Sequence, residues 1–222
     1  MNGILFKPWR IKAIADNPDM EWQFREVIKP QPVFDNGVWE YRTGKKYGVV
    51  GESTNTELVF RQLLIPFAKY KVGELVYIME AYTWVTLAEK DPWKDRAIAD
   101  GSFRRKPDGS PVTMRYKLDG YEAVFNWETP MFMPAWAARY TIRILGNEAQ
   151  RVQEISWADC LAEGVIEKEG DNFYPSETSR LVYSVPQGAF IDIWDTTYPK
   201  YPWDRNPWVF KYSFKLEAKA ES

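Results

Sequence analysis

Histidine is absent from this chain of 222 residues, and Cys160 is its one cysteine. The lack of histidine excludes Ser-His-Asp and Cys-His catalytic sets, His-ligated zinc and an imidazole general base. A single cysteine permits neither an intrachain disulfide nor a cysteine-rich metal site. Any catalysis would depend on Asp, Glu, Lys, Tyr, Ser or Thr, or on a bound cofactor. Cys160 could be a reactive nucleophile, but we expect a small buried residue on a helix.

Long apolar runs are also missing. No stretch approaches the roughly 18 apolar residues that span a bilayer, and the N-terminal residues lack the apolar region and cleavage site of a signal peptide. We therefore expect a cytoplasmic protein with no membrane segment. With 45% hydrophobic and 27% charged residues, the chain has a globular composition, which excludes a mainly disordered protein.

Neither sign of charge is in large excess, because the chain has 29 basic and 31 acidic residues. A protein that grips a long duplex usually carries a basic field, whereas a pocket for one or two nucleotides needs only local charge. The one compact basic triplet, Arg104–Lys106, is either a phosphate contact or a solvated loop. Aromatic residues are abundant, at 16%, and they supply either stacking faces or a β-rich core.

The hydrophobic pattern predicts an α+β protein around a small barrel or curled sheet. Short apolar or alternating runs indicate strands, and Asp119-Gly120 indicates a hairpin between residues 113–118 and 121–125. Ser156 and Asp159 resemble a capping box. We expect helices at 8–15, 157–164 and 186–194. We treat 1–222 as one domain with a surface insertion at about 86–112 and a charged tail at 216–222.

Four stretches, in order along nearly the whole chain, resemble the ASCH-domain proteins of phages and prophages, which have the PUA-like fold. The third and fourth stretches are the most specific. The stretches are Ile4-Leu5-Phe6-Lys7-Pro8-Trp9 with Arg25–Pro32, Tyr70–Trp84, Met131–Arg139 with Ile155–Gly164, and Trp194-Asp195 with Trp203–Phe210.

The resemblance implies a small β-barrel with flanking short helices, long loop insertions and a cleft beside the first helix that binds RNA or a modified nucleotide. From the residue types and their spacing we expect no cofactor and no metal site. The expected phosphate or base-edge donors are Lys7, Arg10 and Arg25, the acceptor from an exocyclic amine is Glu80, and the stacking faces are Trp9 or Trp84. Two structural alternatives stay open: Arg25 and Glu80 form a mutual buried salt bridge, and Trp136 and Arg139 fasten a loop.

Some small members of that family hydrolyse acetylated cytidine with a Lys and a Thr after the first helix and a Glu on a later strand. Glu80 matches this Glu, but the Lys and Thr positions fall on Glu21, Trp22 and Phe24. One carboxylate without these partners makes a poor hydrolase. We therefore expect a binding module without catalysis, Glu80 being the one catalytic candidate.

Two further functions remain as alternatives. An amidohydrolase acting on a modified nucleoside would need a Lys or Thr close to Glu80, and the candidates are Lys7, Lys12, Lys29 and Thr83. A phage structural or partner-binding protein would keep the cleft only as a vestige, and the acidic charge balance and the lost motif favour that option.

Overall fold

A computed structural model describes residues 1–43, 46–50, 56–88, 90–120, 126–168 and 170–219. These residues form an α+β protein with several sheets, which confirms the predicted α+β class; none of the sheets in these ranges closes into the small barrel that the sequence led us to expect. The strands are β1 (Asn2–Leu5), β2 (Trp22–Val27), β3 (Val33–Asp35), β4 (Val38–Thr43), β5 (Lys46–Val50), β6 (Leu75–Met79), β7 (Tyr82–Thr86), β8 (Phe103–Arg105), β9 (Pro111–Tyr116), β10 (Tyr140–Arg151), β11 (Ile166–Lys168), β12 (Asn172–Tyr174) and β13 (Trp208–Lys219). The α-helices are α1 (Pro8–Asp16), α2 (Thr56–Leu64), α3 (Trp93–Ala99), α4 (Trp157–Ala162) and α5 (Pro186–Thr197).

The chain divides into two compact units. The first unit contains residues 1–20, 75–143 and 215–222, and the second contains 21–74 and 144–214.

In the first unit, β1 pairs in parallel with β6, and the first part of β10 pairs with β6 in the antiparallel sense. Gly3 makes the β1–β6 contact possible, because a Cβ atom there would lie 2.8 Å from both the Tyr77 ring and the Met79 sulfur. Strands β7, β9 and β8 form a separate antiparallel sheet with β9 in the middle. Its inner face packs in a cluster of buried side chains that includes Tyr82, Met114 and Tyr116.

In the second unit, β2 and β13 pair in the antiparallel sense, with Phe24 opposite Tyr212. The rings of these two residues stack with centroids 4.7 Å apart. Strands β3, β4 and β5 form one small sheet, and β11 with β12 another. A core cluster gathers side chains of β2, α4, α5 and β13, Cys160 among them. Cys160 is 0% exposed, and burial raises the pKa of its thiol to about 12, which confirms the expected buried helical residue.

Helix α4 begins at a capping box, as the sequence predicts. The Ser156 hydroxyl accepts from the Asp159 N–H at 3.1 Å, and the Asp159 carboxylate accepts from the Ser156 N–H at 3.4 Å. Both bonds satisfy donors that a helix start would otherwise leave without partners. The chain leaves α4 through Gly164, whose φ of 98° falls in the left-handed region that favours glycine.

The segment between β7 and β9 contains α3 and β8, where the sequence indicated a surface insertion. Strand β9 ends at Tyr116 and pairs with β7 and β8. The second arm of the predicted hairpin, residues 121–125, lies outside the described residues. Helix α2 has no counterpart among the sequence predictions. None of the helices in the described ranges is long and apolar enough to cross a membrane.

Candidate nucleic-acid interface

A buried ion network in the first unit joins the residue after β6 to the residue before β10. The Nε and Nη2 atoms of Arg139 donate to the two carboxylate oxygens of Glu80, each at 2.8 Å. Its Nη1 atom donates to Asp119 at 2.6 Å. Glu80 is 2% exposed, so the bidentate arginine provides the partners that a buried carboxylate requires. Burial raises the pKa of Glu80, and Arg139 partly offsets this effect.

The same network fastens the segment 130–138 to the sheets of the first unit. The Arg139 guanidinium lies 4.3 Å from the Tyr116 ring centroid. Three tyrosine hydroxyls donate to carbonyls of the segment: Tyr77 to Met133 at 3.0 Å, Tyr82 to Phe132 at 3.2 Å and Tyr116 to Ala137 at 2.7 Å. Arg139 therefore fastens a loop, as one of the two structural alternatives expected.

A second network surrounds Arg25 on β2 in the second unit. Its Nη1 donates to Glu163 and its Nη2 to Asp159, both at 2.9 Å, and its side chain is 1% exposed. Burial would raise the pKa of Asp159, but Arg25 and Lys211 hold that pKa below its ordinary value. The expected salt bridge between Arg25 and Glu80 is therefore wrong. Arg25 binds two carboxylates of the second unit, and Glu80 binds Arg139 in the first unit.

Four side chains of the first unit form what we call the Trp84 platform: Tyr82, Trp84, Lys106 and Trp136. Tyr82 and Trp84 share one face of β7 because they are two residues apart, and their rings stack at 5.8 Å. Trp136 meets Trp84 edge-on at 6.2 Å. The Lys106 ammonium lies 4.7 Å from the centroid of the Trp84 ring. Trp84, Trp136 and Lys106 are each half-buried, so the platform borders solvent.

Residues 90–120 around this platform carry eight basic and five acidic side chains. Three of the acidic side chains accept backbone N–H bonds in local turns: Asp91 from Trp93, Asp100 from Ser102 and Asp108 from Ser110. The bonds fix the positions of these carboxylates but do not remove their charge; the basic excess of this segment, in a chain of net charge −2, follows from its eight basic and five acidic side chains.

Basic groups of this segment lie over aromatic rings. Arg96 lies 5.4 Å from Trp93, Arg105 5.6 Å from Phe103 and Lys94 6.0 Å from Phe103. Sequence reasoning weighed the Arg104–Lys106 triplet alone and missed this interleaving. The alternation of basic and aromatic residues between 84 and 106 was the available signal.

The other predicted site residues lie in two places. Lys7 is exposed just before α1, Trp9 is half-buried, and Arg10 is buried with its guanidinium 4.9 Å from the Phe6 ring. These three share the start of α1 in the first unit, to which Glu80 and Trp84 also belong. Arg25 belongs to the second unit, where two carboxylates occupy its guanidinium.

Two of the lysine and threonine candidates for hydrolysis, Lys29 and Thr83, have observed positions that can be compared with the expectation. Lys29 lies 5.7 Å from the Tyr201 ring in the second unit. Thr83 is opposite Arg115 in the β7–β9 register, so it points to the face of the sheet away from Trp84. Both oxygens of Glu80 already accept bonds from Arg139.

Metal ligands do not cluster in the part of the chain that the structure describes, where no group of three or more His, Cys, Asp or Glu residues could hold an ion. No family model matches the chain, and no curated protein or solved structure is significantly similar to it.

Proposed function

We propose that this chain is a PUA-like module of the ASCH type that binds RNA or a modified nucleotide at the Trp84 platform. The observation that carries the proposal is the half-buried Trp84 ring, backed by Tyr82 and Trp136 and covered by the ammonium of Lys106. The α+β class and the four family-like stretches of sequence agree with it.

A base can replace the Lys106 ammonium on the ring. An exposed cation–π contact is worth about 0.5–1 kcal/mol, whereas stacking of a base on an aromatic side chain contributes about 1–3 kcal/mol. The displaced ammonium stays on its flexible stem and can then neutralise the phosphate of the same nucleotide. Tyr82 and Trp136 restrict the Trp84 ring beforehand, which lowers the ordering cost of binding.

Glu80 and Arg139 position this platform rather than react. Arg139 fastens the segment that carries Trp136, and both Glu80 oxygens accept its bonds. A buried carboxylate that holds an arginine at both oxygens serves to position that arginine, and the Lys and Thr that would complete a hydrolase set are not matched in the sequence. We therefore propose binding without catalysis, with Lys7, Trp9 and Arg10 as further ligand contacts beside α1.

A protein partner is the second candidate. Met131 and Phe132 are 73% and 74% exposed beside the buried Met133. Neighbouring exposed apolar side chains of this size are typical of interaction surfaces. A partner that covers them would make the chain a partner-binding protein of the phage type.

Tryptophan fluorescence titration tests the proposal. The ligands are nucleosides, acetylated cytidine and short single-stranded RNA and DNA, at low and moderate salt. Stacking energies of about 1–3 kcal/mol predict that Trp84→Ala weakens binding by about 5- to 150-fold. Lys106→Ala should weaken it less and should lower the salt dependence by about one phosphate contact.

Trp157→Ala is the matched control, because Trp157 is a 46% exposed tryptophan of the second unit. It should leave the affinity unchanged. The absence of saturable binding by every ligand, or equal effects of the Trp84 and Trp157 variants, would contradict the nucleotide site.

A further inference from the structure

The β7–β9–β8 sheet presents an aromatic ring with a basic partner on each of its two faces. Trp84 is opposite Met114 in the register, whereas Phe103 is opposite Thr113. Met114 and Thr113 are neighbours on β9, and successive residues of a strand point to opposite faces. Trp84 and Phe103 therefore lie on opposite faces of the sheet.

Phe103 has its own basic partners, Arg105 and Lys94, and we call these three residues the Phe103 group. Phe103 is half-buried and Arg105 is exposed. Polar groups border the ring: Thr113 on the same face shares a hydrogen bond with the Ser102 hydroxyl at 2.9 Å and accepts one from Arg115 at 2.7 Å. Thr113 is 5% exposed, so these bonds support the sheet beneath the ring, and what the second face offers a ligand is the Phe103 ring with the cations of Arg105 and Lys94, which suits a base and its phosphate.

Strand β8 is the edge of this sheet, and the two aromatic groups meet at its end. Arg105 and Lys106 are consecutive, and their cations lie over rings on the two different faces, 5.6 Å from Phe103 and 4.7 Å from Trp84. A polyanion that crosses the edge would find a positive group on each side. The carboxylates of Asp91, Asp100 and Asp108 are bonded to backbone N–H groups within the segment.

We infer that the ligand is a single strand of several nucleotides, that it stacks one base on Trp84 and another on Phe103, and that its backbone crosses the β8 edge between Arg105 and Lys106. The inference rests on the proposed function and extends it. One base can occupy only one face, so both rings are used only when two bases are linked around the edge. A duplex is excluded because its bases are stacked inside and cannot separate to two faces.

A length series of oligonucleotides tests this inference. The probes are a mononucleotide, a dinucleotide, a tetramer and an octamer, as RNA and as DNA, with a duplex of the octamer; sites of this kind accept about 4–16 nucleotides. For the wild-type chain we expect the octamer to bind at least about 10-fold more tightly than the mononucleotide, and more tightly than the duplex.

Variants separate the two faces. Phe103→Leu keeps an apolar side chain without the ring, and together with Arg105→Ala it should remove the gain of the octamer while leaving mononucleotide affinity unchanged. Trp84→Ala should weaken ligands of every length. Trp93→Leu is the matched control, because it removes an exposed aromatic–cation pair of the same segment that lies on α3 rather than on the sheet. Urea unfolding checks that each variant is folded.

The outcomes distinguish the two proposals. Equal affinity for mononucleotide and octamer, a duplex that binds as tightly as the single strand, or an unchanged length dependence in Phe103→Leu would overturn the two-face path, while binding at Trp84 would stand. If no probe of any length binds, the proposed function itself fails.

Discussion

The two units each contain an arginine–carboxylate network, but the deeply buried ion differs. In the second unit all three ions are buried, and the cation is the most deeply buried: the Arg25 side chain is 1% exposed, against 5% for Glu163 and 12% for Asp159. In the first unit the most deeply buried ion is the carboxylate: the Glu80 side chain is 1% exposed, the Arg139 side chain is 13% exposed, and Arg139 also binds Asp119, whose side chain is 38% exposed. The pKa of Asp159 is accordingly lowered and that of Glu80 raised. The arginine–carboxylate network of the second unit therefore lies wholly in the core, whereas that of the first unit extends from a buried carboxylate to an exposed one.

Replacing Arg25 by Met should have the largest effect. Asp159 and Glu163 would remain buried without their cation, and breaking a buried pair in this way costs about 3–5 kcal/mol. Urea unfolding at pH 7 measures the free energy of unfolding. A loss below about 1 kcal/mol would indicate that Lys211 or water replaces the guanidinium, and the contrast between the units would then disappear.

Arg139→Met should cost less, about 2–4 kcal/mol at pH 7.5, because only one of its two carboxylate partners, Glu80, is buried, whereas the Asp119 side chain is 38% exposed. Burial already raises the pKa of Glu80, and without Arg139 that pKa should rise further. Glu80 can then become neutral in mild acid, so the loss should shrink at pH 5. Equal losses at both pH values, measured by urea unfolding, would contradict the view that the buried carboxylate dominates this network.

The pH dependence of unfolding should have opposite signs for Asp159 and Glu80. The pKa of Asp159 is lowered, so its stabilisation is present above the ordinary value of 3.8 and is lost as the pH falls through the lowered pKa. The pKa of Glu80 is raised, so the folded chain binds a proton above the ordinary value of 4.5, and its contribution to stability grows as the pH falls.

Urea unfolding between pH 3 and 7 measures both effects. Asp159→Asn should flatten the acid side of the stability curve below about pH 4, and Glu80→Gln should change its slope above about pH 4.5. Identical changes in the two variants would show that the direction of these shifts is misassigned.

The smallest effect is expected at the exposed pair of the first unit. Arg143 and Glu217 are 39% and 38% exposed. Exposed pairs of this kind contribute little to stability and are screened by salt. Arg143→Met should therefore leave the urea unfolding curve almost unchanged, and 1 M salt should reduce even that small difference. A loss of stability as large as that expected for Arg139→Met would contradict this expectation, because it would show that the exposed pair contributes as much as a buried network.

Local patterns allowed much of the secondary structure to be predicted. The capping box at Ser156 and Asp159 involves residues three apart, so its signal lies within one turn. Helix α2 was missed because its apolar residues include Leu58 and Leu63, which are 61% and 41% exposed and blur the periodicity that identifies a helix. The Glu57–Arg61 pair, at 2.7 Å and four residues apart, was an available signal.

The site could not be predicted to the same extent. Arg25 is 134 and 138 residues from its two partners, and Glu80 is 59 residues from Arg139. Pairing at such separations follows from tertiary packing rather than from local sequence. The position of Lys106 over Trp84 depends likewise on β7 and β8 flanking β9, so Trp84 was predicted as a stacking face but its cation was not.

Because Cys160 is buried, its reaction with a thiol reagent can report local unfolding of the structure around it. The thiol stays protonated in the native state, and the thiolate is the reactive form. A disulfide reagent should therefore modify the chain only when the cluster around α4 separates. Because the chain has no second cysteine, the labelling rate would measure how often that cluster opens. It would also detect openings that are too rare to change a fluorescence or circular dichroism signal.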